Sequence, residues 1–212
     1  MEPIIETEFT SREEIKSFLK IVLVGDSNVG KTSLLHALSR NNETGRGYSV
    51  SLEFPFGTKR KRELLIGRIY DLRSQRYFPY LHSLYYNNAK GAIVVFDVTN
   101  RKSFESIRKW RSIIWGHTGN IPILICGNKS DLKEDDRSHV SIEEAKQLSK
   151  EFSKDQSIQS PYIEISASKR IIAYSNNEIN DQPIEDIYPT IDAFRAPFVS
   201  WLLEIAKCHK IQ

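Results

Sequence analysis

The sequence has few cysteines, no long apolar run and little net charge. Two cysteines among 212 residues, Cys126 and Cys208, are too few for a disulfide framework and indicate a reducing, intracellular setting. No apolar run approaches the roughly 18 residues that a membrane-spanning helix needs, and the first residues do not resemble a signal peptide. The net charge of +3 is too small to indicate a nucleic-acid partner. We therefore expect a cytoplasmic protein that binds no nucleic acid.

A Gly-x4-Gly-Lys-Thr pattern at residues 25–32 is the most informative stretch. It follows an apolar run that predicts a buried strand and precedes a segment with the apolar spacing of a helix. Gly25 and Gly30 permit the tight turn that aims backbone N–H groups at an anion, and the helix start adds further donors. Because of this context, a phosphate-binding loop is favoured over an ordinary glycine turn. The predicted phosphate-binding residues are Gly25, Ser27, Asn28, Val29, Gly30, Lys31, Thr32 and Ser33, with Lys31 on the β- and γ-phosphates and Thr32 on Mg²⁺.

Apolar runs that alternate with helical patterns predict the α/β class: a three-layer, doubly wound, mostly parallel sheet with helices on both faces. Residues 91–98 form a continuous apolar run, as expected for a central strand. Helices are predicted from Ser103 and, because of a capping-box pattern, from Ser141. Ligands should bind at the carboxyl ends of the strands. The other strands are predicted at residues 20–24, 51–59, 63–70, 121–126 and 161–165, the last of these being the final strand.

Two further motifs follow predicted strands, Asn128-Lys129-Ser130-Asp131 and Ser166-Ala167. Together with the phosphate loop they resemble the Ras superfamily of small GTPases, and residues 83–110 resemble its Rab branch. The resemblance implies a P-loop G domain that binds GTP and GDP with Mg²⁺, hydrolyses GTP slowly and recruits effectors in vesicle traffic. It also implies effector, exchange-factor and activating proteins as partners, contacting residues 41–54 and 71–82. Peripheral association with intracellular membranes stays open.

The resemblance assigns the base-binding residues. Asp131 would accept hydrogen bonds from the N1–H and 2-amino group of guanine, which adenine lacks. Asn128 would tie the loop together, and Lys129 would lie along the base. The loop of Ser166 and Ala167 would contact the guanine oxygen through a backbone N–H. Ser168, the remaining predicted nucleotide-binding residue of this loop, stands where the family has a lysine.

The resemblance also assigns the metal and catalytic residues, with departures. Asp71 would hold Mg²⁺ through water, and Gln75 would orient the attacking water. Ser49 would bind Mg²⁺ and the γ-phosphate, unless it is an ordinary strand-edge serine. Ser74 replaces the glycine whose N–H meets the γ-phosphate, and Arg73 replaces a small residue. A hydrolysis-defective scaffold that holds nucleotide without cycling is therefore the alternative to a switch.

The predicted domain organisation is a G domain over residues 19–207 between two short ends. Residues 1–18 are an extension with a short helix expected to run into Phe18, and residues 208–212 are a tail. About 20 residues, 169–189, are an insert relative to the family, expected to be disordered rather than to cover the base or contact a partner. Cys208 does not form a C-a-a-X box, so no lipid anchor is recognisable. Pro197 should kink the last helix or mark its first turn.

Overall fold

Seven strands and six helices make up the part of the chain that the computed structural model describes, residues 16–39, 49–58, 61–72, 82–133, 139–154, 158–176 and 191–208. The strands are β1 Lys16–Val24, β2 Ser49–Thr58, β3 Lys61–Asp71, β4 Gly91–Asp97, β5 Ile123–Asn128, β6 Tyr162–Ser166 and β7 Ile171–Ser175. The helices are α1 Lys31–Leu38, α2 His82–Tyr86, α3 Arg101–Glu105, α4 Ile107–Thr118, α5 Ile142–Ser153 and α6 Ala196–Cys208, and a 3₁₀ turn covers Ser130–Leu132.

The strands form one sheet in the order β2-β3-β1-β4-β5-β6-β7. The five inner strands run parallel, while β2 is antiparallel to β3 and β7 is antiparallel to β6. All residues of β4 and β5 are buried, as expected for parallel strands covered on both faces. The predicted α/β class and mostly parallel sheet are confirmed.

Two apolar clusters separate the sheet from its helix layers. One face packs against α1 and α6 through residues such as Leu34, Trp201 and Leu202. The opposite face packs against helices α2 to α5 through residues such as Ile114 and Phe152. Burial of these side chains is the main stabilising contribution to such a fold. The three-layer arrangement brings the carboxyl ends of the parallel strands to one edge of the sheet.

The chain start and the helix after β4 differ from the prediction. Residues 16–18 are strand rather than the end of a helix, because β1 extends along β3 and pairs Lys16 with Leu64 and Phe18 with Ile66. The predicted helix from Ser103 begins earlier, at Arg101, where Asn100 caps it by accepting a hydrogen bond from the backbone N–H of Lys102. Residues 11–15 of the predicted N-terminal helix lie outside the described residues.

The prediction that β6 is the final strand is wrong. β7 follows it within residues 169–189, so disorder is not the outcome for residues 171–175. Asn176 closes the pair, because its side-chain oxygen accepts from the backbone N–H of Tyr162 at 2.7 Å. Tyr174 packs on Tyr162 with ring centroids 5.7 Å apart, which gives the added strand an aromatic anchor. Residues 177–189 lie outside the described residues.

The last helix begins at Ala196, so Pro197 lies in its first turn, as one of the two expectations had it. The strands predicted at residues 51–59 and 63–70 are present as β2 and β3, which pair as an antiparallel hairpin whose last pair joins Thr58 to Lys61. None of the helices in the described ranges has the length and apolar character required to cross a bilayer.

Candidate nucleotide-binding site

The loop between β1 and α1 has the backbone geometry of an anion cradle. Gly25, Asn28 and Gly30 have positive φ angles of 142°, 65° and 94°. A Cβ at Gly25 would lie 2.2 Å from the backbone oxygen of Val95, and one at Gly30 would lie 2.2 Å from Asn128 Nδ2. Glycine is therefore required at both positions, for backbone conformation and for space.

The remaining loop residues surround the start of α1. Lys31 folds back over the loop, where its Nζ donates to the backbone oxygens of Gly25 at 2.9 Å and Asp26 at 2.7 Å. Thr32 is half-buried, while Ser27, Asn28 and Ser33 are exposed and Val29 is buried. The first turn of α1 leaves backbone N–H groups that can bind an anion.

Asn128 joins two separate loops at the end of β5. Its Nδ2 donates to the backbone oxygen of Val29 at 2.9 Å, and its Oδ1 accepts from the backbone N–H of Ala167 at 3.0 Å. The side chain is almost fully buried, with 2 % of the residue exposed. Asn128 thus fixes the phosphate loop relative to the loop after β6, and the N–H of Ala167 is used in that contact.

Lys129 has a left-handed backbone with φ of 67° and pairs with Asp97 at the end of β4. Its Nζ lies 2.6 Å from Asp97 Oδ2, while Asp97 Oδ1 accepts from the backbone N–H and the hydroxyl of Thr99. Burial opposes ionisation of Asp97, but hydrogen bonds from Lys129 and Thr99 outweigh it and hold the pKa of this carboxyl below its ordinary value. The position of Lys129 along a base stays a prediction.

Asp131 lies beside the loop after β6 in the 3₁₀ turn. A hydrogen bond with the Ser166 side chain is the main cause that lowers the pKa of the Asp131 carboxyl, with a further contribution from Lys169. Lys169 Nζ is 3.7 Å from Asp131 Oδ2, and Ser166 Oγ is 3.2 Å from Ser168 Oγ. The cation near Asp131 thus comes from the residue after Ser168. An ionised Asp131 is the acceptor that a guanine N1–H requires.

Two of the predicted metal-binding residues lie on adjacent strands. Asp71 ends β3 and is 5 % exposed, opposite Leu23 of β1, just before the phosphate loop. Ser49 begins β2 opposite Tyr70, and it also lines a cleft of about 390 Å³ that contains no phosphate-loop residue. Carboxylate and hydroxyl oxygens suit Mg²⁺, so the donors Thr32, Asp71 and Ser49 fit this ion chemically. Gln75, Ser74 and Arg73 lie outside the described residues.

Comparison with known proteins decides the family, because the model of the Ras family matches residues 20–178. The chain belongs to the Ras family. It is 35 % identical over 141 residues to the Ras-related protein Rab11B of Nicotiana tabacum, covering 65 % of this chain and 64 % of that protein. It is equally similar to RABA1a of Arabidopsis thaliana over the same shares of the two chains. RABA1f of Arabidopsis thaliana is 30 % identical over 188 residues, 82 % of this chain and 86 % of that protein.

These relatives make the chain a Rab-like member of the Ras family, as the motifs in residues 83–110 predict. The match spans less than two thirds of the length of Rab11B and RABA1a. The site of this Rab-like chain assembles from the ends of β1, β4, β5 and β6, which the sequence separates by more than 140 residues.

Two site contacts escaped the sequence-based prediction. Trp110 of α4 donates from its Nε1 to Asp26 Oδ1 in the phosphate loop at 2.9 Å, although the sequence placed it only in the predicted helix from Ser103. Asp97 is the partner of Lys129, although the sequence placed it only in the apolar run of the central strand predicted at residues 91–98. Neither contact can be recognised from a local sequence pattern, since the two partners are 84 residues apart in the first contact and 32 in the second.

Proposed function

We propose that this Rab-like chain is a guanine-nucleotide switch that binds GTP and GDP with Mg²⁺, hydrolyses GTP slowly and acts in vesicle traffic through effector recruitment. The observation that carries the proposal is the bridge made by Asn128 between Val29 and Ala167. It holds a phosphate-type loop and a base-type loop at a fixed separation, as a nucleoside phosphate requires.

In this proposal, backbone donors and one cation bind the phosphates of the nucleotide. N–H groups of the loop from Gly25 to Gly30 and of the first turn of α1 would bind the phosphate oxygens. Lys31 would exchange its two carbonyl partners for the β- and γ-phosphates, which are better acceptors for an ammonium because they are charged. Ser27, Asn28, Val29, Thr32 and Ser33 complete this proposed contact set.

The base end is served by Asp131. An aspartate is ionised at neutral pH, and the hydrogen bond from Ser166 that lowers the pKa of Asp131 favours the same form, so the carboxylate can accept from the N1–H and 2-amino group of guanine. Adenine offers no such donor pair, so these two hydrogen bonds from the base would be missing, which disfavours ATP. Lys129, Ser166, Ala167 and Ser168 would border the base around it.

Hydrolysis requires an in-line attack of water on the γ-phosphate. Thr32, Ser49 and Asp71 would hold Mg²⁺, which when bound supplies positive charge against the phosphate oxygens. Lys31 would offset charge that develops during transfer, and Gln75 would orient the attacking water. Effectors, exchange factors and activating proteins would contact residues 41–54 and 71–82. The protein would then act in the cytoplasm or peripherally on intracellular membranes.

A scaffold that holds nucleotide without cycling is the second candidate, favoured by Ser74 and Arg73 in the sequence. A side chain at position 74 adds about 1 kcal/mol or more if the backbone there must adopt a positive φ. A ligand shifts a two-state equilibrium only by its differential affinity for the two states, so this cost would weaken the response to GTP.

Affinities for GTP, GDP and ATP, with single-turnover GTP hydrolysis, test the proposal. We expect guanine-nucleotide binding with little ATP binding, and slow hydrolysis that Ser74→Gly accelerates. Hydrogen exchange over residues 41–54 and 71–82 with each nucleotide reports the switching. Guanine binding without hydrolysis or nucleotide-dependent exchange would establish the scaffold, and equal affinity for GTP and ATP would refute both candidates.

A further inference from the structure

The turn between β6 and β7 continues directly from the proposed base loop and contains Arg170. This residue has a left-handed backbone with φ of 54°, which is unfavourable for a residue with a Cβ. Such a conformation persists when surrounding contacts impose it, so the contacts of Arg170 indicate what the turn does.

The guanidinium of Arg170 joins three segments of the chain. One nitrogen donates to the backbone oxygen of Ala37, in the last turn of α1. The other donates to Asp192 Oδ2 at 2.8 Å, and the group lies over the ring of Phe194 at 5.3 Å from its centroid. Asp192 is held in place in turn by Arg195, whose Nη2 is 2.7 Å from the same oxygen.

The contact with Ala37 is electrostatically favourable. The last carbonyls of a helix lack intrahelical partners and carry the negative end of the helix dipole, so a cation is stabilised there. A planar guanidinium can donate hydrogen bonds to this carbonyl and to the Asp192 carboxylate at the same time, which a lysine ammonium cannot do with the same geometry.

Two cross-links therefore hold the base loop against the phosphate-binding helix. Asn128 connects them in the loop just before α1, through Val29 and Ala167. Arg170 connects them at the end of α1, eight residues further along, through Ala37. A nucleotide held between the two loops leaves when the loops separate. Separation requires that the hydrogen bonds made by both Asn128 and Arg170 break.

We propose that Arg170 is a positioning residue that slows release of guanine nucleotide by clasping the β6–β7 turn to the end of α1. The inference rests on the proposed function and extends it to residence time. Arg170 touches neither the phosphate-loop residues nor Asp131 among its described contacts, so it acts through the loops that it joins.

Release of a fluorescent GDP analogue, chased with excess GDP on the full chain, tests the clasp. Arg170→Ala should release the analogue about three- to ten-fold faster, the range expected for partly exposed charge-assisted hydrogen bonds. Arg170→Gly should be as fast, although glycine suits the left-handed backbone. Arg170→Lys should be intermediate, because it keeps one donor. Arg108→Ala, which removes an exposed pair with Glu151 between α4 and α5, is the control and should match the parent.

A double-mutant cycle with Asp192→Asn tests the link itself. The two substitutions should be less than additive in release rate if they break the same contact. Parent-like release from Arg170→Ala would overturn the clasp, and so would parent-like release from Arg170→Gly, which would assign the effect to the backbone. Failure of the parent chain to bind GDP would instead refute the proposed function. Hydrogen exchange of α1 in the Arg170→Ala variant then decides the clasp separately, since an unchanged rate would overturn it.

Discussion

Replacing Asn128 by alanine should loosen both halves of the candidate site. The side chain satisfies two buried backbone groups, the carbonyl of Val29 at 2.9 Å and the N–H of Ala167 at 3.0 Å. Val29 and Ala167 are 1 % and 4 % exposed, so water cannot readily replace the lost partners. Each buried group left unsatisfied costs about 1–3 kcal/mol, so the two together give a loss of about 2–6 kcal/mol in the free energy of unfolding.

The variant Asn128→Asp separates the two contacts. Its carboxylate can still accept from the N–H of Ala167, but it cannot donate to Val29 and places negative charge against that carbonyl. We expect this variant to be destabilised at neutral pH, with the phosphate loop affected more than the loop of Ala167. Hydrogen exchange of the two loops reports the difference.

Urea unfolding without nucleotide provides the measurement, because a ligand that binds the native state adds its own stabilisation. The matched control is Asn87→Ala at an exposed position, which should change stability by less than about 0.5 kcal/mol. A loss at Asn128→Ala no greater than at the control would show that the bridge contributes nothing. Unchanged release of bound GDP would in addition refute its role in the site.

Three further substitutions test separate parts of the structure. Asp131→Asn should weaken GTP and GDP binding and improve binding of xanthine nucleotides, measured by competition, because the amide offers a donor to the xanthine oxygen; unchanged selectivity would contradict the base assignment. Lys31→Ala should lower GTP affinity, measured by titration, because it removes a cation from the phosphates. An unchanged affinity would show that residues 25–32 are an ordinary turn and not a phosphate-binding loop. Arg101 lowers the pKa of Glu144 to about 2, with help from the backbone N–H of Ser141. The ionised Glu144 therefore stabilises the fold above the ordinary pKa of 4.5, and this stabilisation is lost as the pH falls towards 2. Glu144→Gln should flatten the pH dependence of the free energy of unfolding, measured in urea, over that window, while Glu143→Gln should leave it unchanged.

The sequence alone determined the fold class and the positions of the site loops. Apolar runs such as residues 91–98 predict buried strands because a strand covered on both faces must be apolar throughout. The glycines of the phosphate loop are required by the local backbone conformation. The capping box of Ser141 and Glu144, which is present as predicted, depends only on residues three positions apart. Signals of this kind survive in the sequence because they depend on neighbours within a few residues.

Other features were decided by contacts between distant segments. The start of β1 at Lys16 depends on pairing with β3, whereas the sequence of this segment predicted a short helix running into Phe18 and gave no indication of that partner. β7 exists because the edge of β6 offers hydrogen bonds and Tyr162 offers an aromatic surface. Residues 171–175, Ile-Ile-Ala-Tyr-Ser, are mostly of strand-favouring types, but the segment is only five residues long and lies partly exposed at the edge of the sheet, so pairing with β6 decides that it is a strand.

The site shows the same division at the level of side chains. Lys31 and Asp131 are predicted to contact phosphate and base because each belongs to a local motif, and these two roles stay predictions. The resemblance implied that Asn128 ties its loop together, but its partners Val29 and Ala167 and the contacts of Trp110 and Arg170 could not be predicted, since these partners come from other parts of the chain. Local sequence determined which groups are offered to a ligand, and packing of the sheet against its helices decided how those groups are held.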